Sequence, residues 1–75
     1  MEFQNVKMRI IDEGIKMVKV AEVLGISTQA LYNKLNGDSE FVLSEMAKLK
    51  EFLHLSDADF LSLFFSDDGV RNAKS

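Results

Sequence analysis

Apolar residues recur at helical spacing along the whole chain, and polar residues fill the gaps between them. Phe3, Val6, Ile10 and Ile11 form one stripe and predict a first helix over residues 3–13, stopped by Gly14. Met17, Val20, Ala21 and Leu24 fall at i, i+3, i+4 and i+7 and predict a second helix over residues 17–24. Leu31 and Leu35, four apart, mark a third over residues 28–35, followed by the turn-forming run Asn36-Gly37-Asp38-Ser39-Glu40. A fourth helix is predicted over residues 43–53, burying Leu43, Met46, Leu49, Phe52 and Leu53. Ser56 then opens a fifth as N-cap, with Asp57 and Asp59 in the first turn, where negative charge favours the helix dipole. No segment alternates with period two for long enough to suggest a strand, so the expected fold is an all-α bundle of five helices. Its domain is expected to span residues 1–65, with residues 66–75 as a polar, disordered tail.

The junction between the second and third helices carries the most local information. A chain that leaves one helix and turns sharply into another needs a left-handed residue, which Gly25 supplies without a Cβ penalty. Ser27 is placed to cap the next helix, and Ile26 and Leu31 can pair across that cap as a hydrophobic staple. Ala21 is small enough to let the two helices cross closely. The pattern is that of a helix-turn-helix. Past the turn, Ser27, Thr28, Gln29, Tyr32, Asn33 and Asn36 lie opposite Leu31 and Leu35. They are amides and hydroxyls, able to donate and accept hydrogen bonds without charge. A merely solvated face would more often carry Glu and Lys. Uncharged polar groups at the start of a protruding helix suit base edges in a major groove.

Charge complicates that picture. The chain carries 9 basic and 12 acidic residues for a net −3, whereas nucleic-acid binders draw much of their affinity from neutralising phosphates. The charge is polarised, however. Lys7, Arg9, Lys16, Lys19 and Lys34 outnumber Glu2, Asp12, Glu13 and Glu22 in the first half, and the acidic excess sits in the second. Weak non-specific binding and moderate affinity are expected. There is no cysteine, so disulfides and thiolate metal sites are ruled out, and a cytoplasmic location is expected. No stretch is apolar enough to cross a bilayer, and no membrane partner is expected. His54 is the only histidine and has no thiol to work with, and the acid pairs Asp57/Asp59 and Asp67/Asp68 resemble a helix start and a solvated tail. Neither catalysis nor a metal or other cofactor is expected.

The five-helix order, with Val20-Ala21-x-x-Leu24-Gly25-Ile26-Ser27 continued by Thr28-Gln29-Ala30-Leu31 and closed by Leu35-Asn36-Gly37, resembles the lambda-repressor-like helix-turn-helix family. This family, also called the XRE or Cro type, includes phage repressors and Cro proteins. The resemblance implies a transcriptional regulator, usually dimeric, that inserts its third helix into the major groove of a short operator in double-stranded DNA. It places base reading on Thr28, Gln29 and Asn33, puts Ser27 and Tyr32 within reach of the duplex, and assigns phosphate contacts to the Asn36–Gly37 loop. Gln29 has the paired donor and acceptor for adenine N6 and N7. Lys16, Lys19, Lys34 and Asn36 would hold phosphates and fix the register. The chain departs from the family in three places. Met17 stands where a phosphate-binding Gln is common, Asp38 and Glu40 stand in a loop that is often basic, and Lys34 stands where an aliphatic residue usually packs.

In the fifth helix Phe60, Leu63 and Phe64 form the core stripe and leave Leu61 and Phe65 on the flank. That flank is the expected contact of a homodimer, which would set two reading helices about 34 Å apart. A domain this small leaves no room for a separate effector domain, so no small-molecule ligand is expected. The competing reading is a protein-interaction module, an adaptor or antirepressor that keeps the bundle but has lost the charge for DNA.

Overall fold

The computed structural model describes residues 2–65 of the 75. Five helices follow one another: α1 (Gln4–Asp12), α2 (Met17–Leu24), α3 (Thr28–Asn36), α4 (Leu43–Phe52) and α5 (Asp57–Phe64). No strand occurs among the described residues. The fold is all-α, as the periodicity predicts. The tail expected at residues 66–75 lies outside the described residues.

The first four helices end alike. Gly14, Gly25, Gly37 and His54 take positive φ (74°, 74°, 91° and 55°) just past their helices. The next amide then reaches back five residues: Ile15 to Ile10, Ile26 to Ala21, Asp38 to Asn33 and Leu55 to Lys50, at 2.8–3.2 Å. This Schellman geometry satisfies carbonyls that a helix end would leave without partners. Serines open two of the helices: the Ser27 hydroxyl accepts from Ala30 N at 3.1 Å and that of Ser56 from Asp59 N at 3.0 Å.

The core joins Val6 and Ile10 of α1, Val20, Ala21 and Leu24 of α2, Leu31 and Leu35 of α3, and Leu49 of α4, all at most 4% exposed. Around it, α2 packs on α3 and α4, while α1 packs on α3 and α5. Two predicted core residues are not there. Ile11 is 51% exposed because it lies off the Val6/Ile10 stripe, and Leu43 is 73% exposed because it sits at the first turn of α4, outside the packed region. Their places are taken by residues that periodicity does not reveal. Phe41, in the connection before α4, is 4% exposed, and Leu55, after α4, is 5% exposed. The rings of Phe3, Phe41 and Phe64 form a triangle with centroids 5.2–5.7 Å apart, in edge-on and tilted contacts that favour aromatic packing. This triangle fastens the N-terminal segment, the α3–α4 connection and α5 together. Beside it, Phe3 N donates to Leu35 O at 2.8 Å and so ties the chain start to the last turn of α3.

Candidate nucleic-acid interface

Helix α3 is held by its apolar side. Leu31 and Leu35 are fully buried, and α2 and α1 both pack against the helix. At about 100° per residue, Thr28, Tyr32, Asn36, Gln29 and Asn33 occupy a continuous sector of roughly 140° that begins beside Leu35 and runs round to the outer side. Gln29 and Asn36 are exposed, and Thr28, Tyr32 and Asn33 are partly so. The three residues expected to read bases therefore share one open face. On that face Gln29 Nε2 donates to Asn33 Oδ1 at 3.1 Å, which links two of them.

The turn is fixed from both ends. Gly25 is left-handed at φ 74°, with open space around the position a Cβ would take, so its conformation and not its size makes glycine fit there. Ser27 is spent on the Ala30 amide, so its hydroxyl works first as a cap.

The cations divide into two groups. Lys16 and Lys19 flank the start of α2 and are exposed, and Lys19 makes only a solvent-exposed pair with Glu22 at 3.6 Å. Lys34 is different. Its side chain is 13% exposed, and its ammonium donates to Glu40 O at 2.9 Å and pairs with Glu45 Oε1 at 3.1 Å, beside the Phe41 ring. The same Glu45 oxygen accepts from Val42 N at 3.0 Å and so caps α4. The phosphate contact expected of Lys34 is thus corrected to a structural tie between α3 and the start of α4. Gly37 is corrected too, because its amide donates to Lys34 O at 3.2 Å and the next two amides to Asn33 O, leaving none of them free for phosphate. Asn36 keeps an exposed side chain.

One cation escapes the sequence reading. Lys7 of α1 holds its ammonium 5.7 Å from the Tyr32 ring centroid, at the edge of the reading face, with no carboxylate within 4 Å among the described residues. Only the packing of α1 on α3 brings it there. On the opposing side of the charge balance, Asp38 and Glu40 are exposed beyond the end of α3. Leu61 and Phe65, the expected dimer contacts, are 54% and 49% exposed. His54 is exposed in the turn after α4 and lines a shallow depression with Ala47, Lys50, Glu51 and Leu55, none of them on α3.

Two helices joined through a left-handed glycine, the second capped by serine and open along its polar side, define a small helical domain of the helix-turn-helix type. The profile of the BetR domain matches residues 5–73, and the chain belongs to that family, whose domain is of this regulatory kind. No curated protein and no solved structure matches the chain. No described helix is long and apolar enough to cross a membrane.

Proposed function

We propose that this domain is a sequence-specific DNA-binding transcriptional regulator of the phage repressor or Cro type, acting on double-stranded DNA in the cytoplasm. Helix α3 enters the major groove, where Thr28, Gln29 and Asn33 meet base edges. Lys7, Lys16, Lys19 and the Asn36 side chain hold the flanking phosphates, with Tyr32 seated between reading face and backbone. A homodimer formed through Leu61 and Phe65 doubles this modest grip. The role is one of binding, not catalysis.

The observation that carries the reading is the outward sector of α3, which is rich in hydrogen-bonding groups and free of charge. An adaptor that docks on protein has support in the net charge of −3 and in Asp38 and Glu40 near the reading helix. Fluorescence anisotropy with duplexes from the DNA flanking its own gene, at two salt concentrations, separates the two. The regulator binds a subset of duplexes selectively and loses affinity as salt rises. Absence of binding to any duplex at low salt refutes it in favour of the adaptor.

A further inference from the structure

The hydrogen bond between Gln29 and Asn33 constrains what each amide can read. Gln29 Nε2 carries two hydrogens, and one of them goes to Asn33 Oδ1 at 3.1 Å. The other hydrogen of Nε2 and the oxygen Oε1 stay free, so Gln29 still presents a donor and an acceptor. That is the adenine pattern. Asn33 is left with a different balance. One of the two lone pairs of its oxygen is taken, while its Nδ2 keeps both hydrogens, so it faces outward with more donors than free acceptors. Two amides in direct contact suit neighbouring base pairs, which stack roughly 3.4 Å apart.

We propose that Gln29 and Asn33 act as one coupled reading unit that addresses two adjacent base pairs: adenine under Gln29, and under Asn33 a base edge that displays acceptors, guanine foremost and thymine second. The inference rests on the DNA-reading function proposed above. It assigns Asn33 two roles. It contacts the second base, and it holds the Gln29 amide in the orientation that suits adenine. An uncoupled Asn33 would favour adenine on its own account, through a paired oxygen and nitrogen. In the coupled one, Gln29 occupies one of the two lone pairs of that oxygen, which biases Asn33 away from adenine.

Selection from a library of randomised duplexes, followed by anisotropy titrations on single-base variants of the winner, tests the proposal with the full chain. The wild type enriches adenine next to guanine or thymine, with discrimination at each position in the range of about 5- to 150-fold. Asn33→Ala relaxes the second position and also lowers the preference for adenine severalfold, although it removes no contact to that base. Asn33→Asp still accepts from Gln29 but has no donors, so it keeps the adenine preference and turns the second position towards cytosine, whose amino group donates. Both variants change an outward-facing side chain, and circular dichroism verifies that they remain folded. Undiminished adenine discrimination in Asn33→Ala, preferences on non-adjacent pairs, or retained guanine preference in Asn33→Asp each overturns the coupling while leaving DNA reading intact. A wild type that enriches no sequence overturns DNA reading itself.

Discussion

Replacing Lys34 with Met separates a phosphate contact from a structural tie. Met keeps most of the aliphatic stem against Phe41 but deletes an ammonium that serves Glu40 O and Glu45 Oε1 from a side chain only 13% exposed. The Glu45 carboxylate, itself 12% exposed, would then keep the Val42 amide as its remaining partner. Hydrogen bonds to charged groups contribute about 1.5–3 kcal/mol, and stranding a buried charge costs up to about 3–5. Partial exposure moderates the second figure, so about 2 kcal/mol is the expected loss. That is a large share of the roughly 4–11 kcal/mol available to a domain of this length. Thermal unfolding followed by circular dichroism should show Tm lowered by roughly 8–16 °C. Glu45→Gln introduced alongside Lys34→Met should restore part of the loss, since no carboxylate is then stranded and the amide oxygen can still accept from Val42 N. If Lys34→Met leaves Tm within about 2 °C of the wild type while lowering the salt dependence of DNA binding, Lys34 is a phosphate contact and the structural reasoning is wrong.

Other substitutions probe the remaining parts. Gly25→Ala meets nothing within 4 Å but must hold φ 74°, so urea denaturation should show a loss of about 1–2 kcal/mol from backbone strain alone. Phe41→Ala removes one corner of the aromatic triangle and should cost about 3–5 kcal/mol, enough to leave much of the protein unfolded at 37 °C by circular dichroism. Lys7→Ala should leave Tm nearly unchanged, weaken selected and random duplexes alike, and lower the salt slope by about 1. Ser56→Ala should lower stability by about 1 kcal/mol through loss of the α5 cap, without altering base preference.

What was legible in the sequence was mostly local. The α2 limits, the left-handed Gly25 and the Ser27 and Ser56 caps follow from residues within a turn of one another, where backbone geometry alone constrains the choice. Ile11 and Leu43 were misplaced because periodicity gives a face but not the width of the surface that covers it. Phe41 could not be found by period, since it lies in an irregular connection and is buried by Phe3 and Phe64, each more than twenty residues away. Lys34 looked like a free cation because its partner Glu45 is eleven residues on and meets it only through the turn after α3. A polar residue at a position expected to pack was the available hint. Lys7 was missed for the same reason, being brought to Tyr32 by helix packing and not by spacing.

If the outward side of α3 touches bases, its side-chain amides change environment when the duplex binds. NMR titration of the labelled protein with its selected duplex tests this most directly, through the side-chain amide signals of Gln29 and Asn33. These two signals, with the backbone amides of residues 28–33, are expected to shift most and become protected from solvent exchange. Large shifts confined to α4 and α5, with the Gln29 and Asn33 signals unmoved at saturation, would contradict base contact by α3.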